Sequence, residues 1–353
     1  MQGTRGRLAG SLGRIAATAL LCGAGLTMTD RATGAQTDRT ASRTAAASDS
    51  VPIPHRVHVR SGPLARARSK LAELDTAPFP YDGLVPRSNR PFLDVAENGR
   101  RGHRTGAGRI YWEDETYSDR QVLLHLPKGF DIRRPSLLIV FFHGHGAKLA
   151  DDVYLRQQVP AQISSSGVNA ALVAPQLAFN AADSSAGKFW EPGAFARFLG
   201  DAAQHLARLH GDPRSVRSFA SMPVVIVAYS GGYVATAWSV HHGGLGKRLQ
   251  GVVLFDALYG ELDTFADWVT RQNSAFFVST YTRSTEARNV QLQKVLADRR
   301  VPFTTALEPK LLPGNVAFLP APKDAGHRDF LTYAWVDDPL KDLLARLRGY
   351  ARR

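Results

Sequence analysis

Six short, mostly apolar runs recur along the chain, at residues 137–142, 170–174, 223–228, 251–255, 274–279 and 315–319. A strand with water on one face alternates apolar and polar side chains, whereas a strand covered on both faces has no polar side to show. Runs such as Leu-Leu-Ile-Val-Phe-Phe at 137–142 therefore read as strands inside a sheet that is buried on both sides. Helical periodicity fills several of the intervals. Phe195, Phe198, Leu199, Ala202 and Leu206 share one side of a helix expected over 192–209, and further helices are expected over 286–299 and 339–347. Buried strands alternating with helices over more than 200 residues predict an α/β fold with a mostly parallel central sheet and helices on both faces. Residues 109–112 and 121–126 read as two strands joined by the polar turn 113–120, ahead of this pattern.

The stretch before the periodic region differs in kind. Arg5, Arg7 and Arg14 precede a mostly apolar segment, residues 15–28, and Thr33-Gly34-Ala35 supplies small residues where a signal peptidase reads. Residues 1–35 are thus expected to be a signal peptide cleaved before Gln36, which places the mature protein in the periplasm or outside the cell. The apolar segment is shorter than the roughly 20 residues of a membrane span and is weakened by Gly23 and Gly25. Cys22 follows Leu21, where a lipidation signal needs a small residue. It is also the only cysteine, so cleavage leaves a mature chain with neither disulfide nor thiol nucleophile.

Residues 36–107 read as a flexible N-terminal extension. The part up to residue 75 is rich in Ala, Ser, Thr and Arg, with a short helix expected over 64–74. The remainder carries prolines, glycines and isolated aromatics. Residues 108–353 form the expected catalytic domain. The formal net charge is +13, and the leader's four arginines and one aspartate account for +3 of it, leaving +10. Such a field attracts anionic polymers or a membrane surface. The arginines are scattered rather than gathered in a stripe with aromatics, so no specific nucleic-acid signature is present.

The sharpest local signal is Val224-Val-Ile-Val-Ala-Tyr-Ser230-Gly231-Gly232-Tyr. An apolar strand runs straight into a serine with small neighbours, followed by a helix-like stretch. A nucleophile on a tight strand-to-helix turn needs those small neighbours, because the backbone folds back close to itself. A second apolar strand ends in His143-Gly144-His145-Gly146. An acyl oxyanion requires two convergent backbone N–H donors, and His145 and Gly231 are the candidates. His143 reads as structural. No cluster of acidic and histidine residues accompanies His143 and His145 at metal-ligand spacing, and neither a metal nor an organic cofactor is implied.

Together these segments resemble the α/β-hydrolase family. A His-Gly-x-Gly strand end comes first, Ser230 follows on its turn, and Gly326-His327 appears late, after the last strand. The resemblance spans roughly residues 109–350. It departs from the usual pattern at Ala228, where the first glycine of Gly-x-Ser-x-Gly would stand. It implies the order serine, acid, histidine, with His327 as general base. The acid is Asp256, at the end of the run Val252-Val-Leu-Phe-Asp256, or alternatively Glu286, beyond the next strand. Tyr229, Tyr233, Tyr259, Trp190 and Trp335 are candidate pocket walls, and residues 181–187 a candidate substrate loop. The chemistry implied is a serine hydrolase acting on a carboxylic ester of a small-molecule or envelope-derived acyl substrate. An amidase or peptidase on cell-envelope material, and a non-catalytic binding protein of the same fold, are the alternatives.

Overall fold

A computed structural model describes residues 62–352. The expected leader, its cleavage point and the extension as far as residue 61 lie outside the described residues.

Eight strands form the central sheet: β1 (Arg68–Glu73), β2 (Gln121–Leu126), β3 (Leu137–Phe142), β4 (Ala170–Pro175), β5 (Val224–Tyr229), β6 (Leu249–Phe255), β7 (Phe276–Tyr281) and β8 (Val316–Pro320). Their spatial order is β1-β2-β4-β3-β5-β6-β7-β8. From β4 to β8 every pairing is parallel, whereas β1 and β2 join antiparallel at one edge. Each of the six predicted apolar runs is one of these strands. β3, β4, β5 and β7 are buried at every residue, which is why their sequences lack polar alternation.

The side chains of each strand still alternate, between two cores. Leu138, Val140 and Phe142 of β3, with Val224, Ile226 and Ala228 of β5, face one core. Leu137, Ile139 and Phe141, with Val225, Val227 and Tyr229, face the other. The first core is closed by α2 (Ala194–His210), α3 (Tyr233–His242), α4 (Leu262–Arg271) and α5 (Glu286–Asp298), through residues such as Phe195, Ala235, Phe265 and Leu292. The second is closed by a π-helical turn (Leu149–Arg156), α1 (Val159–Ser165) and α6 (Pro339–Ala345), through Val153, Ile163 and Leu340. Among the described residues no helix is long and apolar enough to cross a membrane.

The chain departs from the sequence reading ahead of β2. Residues 68–73 are not helical: they form β1, paired residue for residue with β2 from Arg68–Leu126 to Glu73–Gln121. The extension is therefore part of the folded unit from residue 62. Leu74, Phe79 and Phe92 are fully or almost fully buried in the first core, and Phe79, Tyr81, Phe92, Tyr117 and Trp190 form one aromatic cluster. β1 escaped notice because only its Leu71 and Ala72 are apolar and most of the strand is exposed, as an edge strand permits. The strand expected at 109–112 exists as Ile110–Trp112, but it pairs with Arg100–Arg104 in a separate three-stranded sheet and not with β2.

Because β3, β5, β6, β7 and β8 are adjacent and parallel, the segments that leave their carboxyl ends emerge side by side along one edge of the sheet. Those segments carry His143–Ala147, Ser230, Asp256, Thr282–Thr285 and His327.

Candidate active site

Ser230 stands between β5 and α3 in the left-handed region, with φ +52°. A side chain there is strained by close approach of Cβ to the backbone, and neighbouring glycines make the geometry possible. A Cβ on Gly232 would lie 2.4 Å from the carbonyl oxygen of Phe142, and one on Gly144 would lie 2.7 Å from the Cβ of Ser230. The Gly144 contact explains why the segment after β3 needs its glycine as much as the serine turn does: the two press against each other. Ala228 is tolerated because it lies inside β5, facing the first core with its side chain fully buried.

Ser230 is 8% exposed at the floor of a cavity of about 620 Å³. His327 reaches it from the loop after β8, with Nε2 2.9 Å from Ser230 Oγ. The other ring nitrogen, Nδ1, lies 2.6 Å from Asp256 Oδ2. An ionised carboxylate only accepts, so Nδ1 carries the proton and Nε2 is left to accept from the serine hydroxyl.

Asp256, directly after β6, also has positive φ, +43°, and is 0% exposed. Its carboxylate accepts from the Thr282 N–H (3.0 Å) and from the hydroxyls of Thr282 (2.7 Å), Ser284 (2.7 Å) and Thr285 (2.5 Å), besides His327. Burial pushes its pKa upward, but the bonds from His327, Thr285, Thr282 and Ser284 together outweigh it and hold the carboxyl well below its ordinary range. Glu286, the alternative acid, is exposed at the start of α5 and lines a different cavity, with Arg283 and Lys323. Asp324 accepts from the Tyr333 hydroxyl instead.

His145 and Gly231, the two expected oxyanion donors, both line the Ser230 cavity. The His145 backbone N–H has no backbone partner among the described residues, and Gly231 lies in the tight turn Ser230–Gly232 that opens α3. The His145 ring meets Ser184 Oγ at 2.7 Å, and burial lowers its pKa, with Asp183 opposing the shift and His327 adding to it. His143 lies below the site. Its Nδ1 donates to the Gly144 carbonyl, and its Nε2 accepts from the Leu177 N–H and the Gln176 amide. Burial lowers its pKa to about 4, so it is a neutral strut between the ends of β3 and β4.

Of the proposed walls, Tyr229, Tyr233 and Tyr259 line the cavity, and Ser184 comes from the expected substrate loop. Trp190 packs edge-on against Phe92, and Trp335 stacks on Phe255 while donating to Asp342; neither lines the cavity. Tyr229 also holds His327. Its ring stacks on His327 at 5.2 Å between centroids, and its hydroxyl donates to the His327 carbonyl at 2.7 Å. Burial raises the Tyr229 pKa to about 12, although Arg156 pulls the other way, so the hydroxyl keeps its proton. Sequence reasoning missed Asp152, Arg156 and Arg328, which complete the lining, and the hydroxyl cage around Asp256. The cage had a visible signal in Thr280-Tyr-Thr-Arg-Ser-Thr, a hydroxyl-rich run at the end of the strand next to β6.

The strand order, the two helical layers and the succession of serine, aspartate and histidine at the carboxyl edge define the α/β-hydrolase fold. No protein-family model matches the sequence, and no curated protein matches it. Among solved structures the chain is similar to a ferulic acid esterase at 12% identity, covering 80% of this chain and 99% of that one with a TM-score of 0.42. It is similar also to the feruloyl esterase module from Clostridium thermocellum complexed with sinapinate, at 15% identity over 76% and 95% of the two chains with a TM-score of 0.42. A third is an S-formylglutathione hydrolase from Agrobacterium tumefaciens, at 9% identity over 70% and 94% with a TM-score of 0.39.

Proposed function

We propose that the protein is an exported serine hydrolase that cleaves a carboxylic ester through an acyl-enzyme. The observation that carries the reading is the continuous relay from Ser230 Oγ through both nitrogens of His327 to the buried Asp256, opening into a cavity large enough for a small acyl substrate. His327 Nε2 takes the Ser230 proton as Oγ bonds to the ester carbon. Negative charge gathers on the carbonyl oxygen, to which the His145 and Gly231 N–H groups donate. Asp256, ionised through its hydroxyl cage, stabilises the imidazolium that forms.

The tetrahedral intermediate then expels the alcohol, which takes its proton from His327. Water enters, gives a proton to His327 and attacks the acyl carbon, and the acid leaves as Ser230 recovers its proton. These steps use only side chains, backbone donors and water. The net positive charge of the chain suits a place of action near anionic envelope material.

A fluorophosphonate probe tests the reading. The wild-type chain should label, and Ser230→Ala and His327→Ala should not. A folded wild-type protein that resists the probe and cleaves none of a panel of short aryl esters would refute it. Sequencing the amino terminus of exported protein tests cleavage before Gln36.

A further inference from the structure

Two guanidinium groups line the Ser230 cavity, and they are used differently. Arg156, in the π-helical turn, has its Nε on Asp152 Oδ1 at 2.9 Å and donates from Nη1 to the Arg328 carbonyl at 3.0 Å. The other Asp152 oxygen accepts from the Lys148 N–H at 2.8 Å. Asp152 is therefore occupied on both oxygens, and Arg156 serves as a strut for the loop that carries His327. Tyr229 holds the preceding carbonyl in the same way.

Arg328 follows the base directly. Its backbone is fixed from below by Arg156, but among the described residues its guanidinium has neither an ion-pair nor a hydrogen-bond partner. The carboxylates nearest to it in sequence do not supply one. Asp324 accepts from Tyr333 at 3.0 Å, and Asp329 is exposed and outside the cavity lining. The charges in the lining are thus one internally paired arginine and aspartate, and one unmatched and exposed cation, Arg328, in the same cavity as Ser230 and His327.

We infer that Arg328 selects the substrate, binding a carboxylate that the ester carries in addition to its scissile group. The inference rests on the hydrolase reading above and names the substrate class within it. A guanidinium presents two parallel N–H donors that match the two oxygens of a carboxylate. Mounting it on a backbone that Arg156 and Tyr229 already hold lowers the ordering cost of binding. Because Arg328 lines the same cavity as Ser230 and His327, the second carboxylate must fit in that cavity together with the ester, as in a half-ester of a dicarboxylic acid or the ester of a hydroxy acid.

Two matched pairs of probes test this with the full chain. In one the carboxylate sits on the acyl side: 4-nitrophenyl hydrogen adipate against 4-nitrophenyl methyl adipate. In the other it sits on the leaving group: 4-carboxyphenyl acetate against its methyl ester. The readout is the ratio of kcat/KM, charged over neutral, in wild type, Arg328→Gln and Arg328→Lys. In at least one pair the wild-type ratio should exceed that of Arg328→Gln about fivefold, the scale of a partly exposed charge-assisted pair, carried mainly in KM. Arg328→Lys should retain part of it. Ratios that do not change between wild type and Arg328→Gln in both pairs overturn the role of Arg328 while turnover of the neutral esters leaves the hydrolase reading standing. Absence of both turnover and fluorophosphonate labelling overturns the two together.

Discussion

Replacing Asp256 by asparagine should abolish the proposed hydrolysis while leaving the protein folded, and the donors around the carboxylate show why. One oxygen accepts from the Thr282 N–H and the Thr285 hydroxyl; the other accepts from the Thr282 and Ser284 hydroxyls and from His327 Nδ1–H. Asparagine keeps one acceptor oxygen and gains an NH₂. Hydroxyls rotate to accept, but the Thr282 backbone N–H cannot, so the amide oxygen belongs opposite it and the NH₂ turns toward His327. Nδ1 must then accept, the ring proton moves to Nε2, and Nε2 can no longer take the serine proton. Loss of the charge-assisted bond to the imidazolium costs about 1.5–3 kcal/mol, roughly 10- to 150-fold in rate. The wrong tautomer adds to this, for a total near the ~10⁴-fold known for such a change in a serine triad. The assay is kcat on a 4-nitrophenyl ester from pH 6 to 10, alongside urea unfolding of both proteins. Stability should fall by only about 1–2 kcal/mol, since the hydroxyls adapt. An Asp256→Asn protein that is folded and keeps a tenth of the activity would falsify the tautomer argument.

The same geometry predicts smaller effects elsewhere. Tyr229→Phe keeps the ring stacked on His327 but removes its bond to the His327 carbonyl; kcat should fall roughly 3- to 10-fold, with about 1 kcal/mol lost in stability, and unchanged kinetics would show that the loop needs no such anchor. Phe92→Ala removes a fully buried ring of the aromatic cluster before β2 and should cost about 3–5 kcal/mol, read as a lowered urea midpoint; a negligible change would return residues 76–107 to the status of an appendage. Acid should weaken the site from its acidic member. The folded-state pKa of Asp256 is depressed, so the stability it contributes is present above the unfolded value of about 3.9 and is lost as pH falls below it. Asp256→Asn should therefore flatten the unfolding free energy against pH between about 4 and 2, and parallel curves for the two proteins would contradict the depressed pKa.

What could be read from the sequence divides along one physical line: whether burial writes itself into contiguous residues. β3 and β5 are covered on both faces, so each is an unbroken apolar word, and such runs at these separations specify a parallel sheet before any contact is known. The serine turn is equally local, because its strain demands small residues within two positions of Ser230, and Asp256 could be favoured because a carboxylate closing a buried strand needs a partner. β1 fails the same test. It is an edge strand with one buried residue, joined to the sheet by backbone pairing with β2, and backbone pairing leaves no mark on composition. The aromatics of 76–107 fail for another reason: Phe79 and Phe92 are isolated in sequence and become a core only when Tyr117 and Trp190 come to meet them. The candidate site shows both behaviours. Ser230, His327 and Asp256 each sit at a position the strand pattern marks, whereas the Thr282, Ser284 and Thr285 cage and the Arg156 strut act through partners 26 to 172 residues away. The triad candidates thus have local signatures, whereas the groups that hold Asp256 and the His327 loop in place are brought there by the fold.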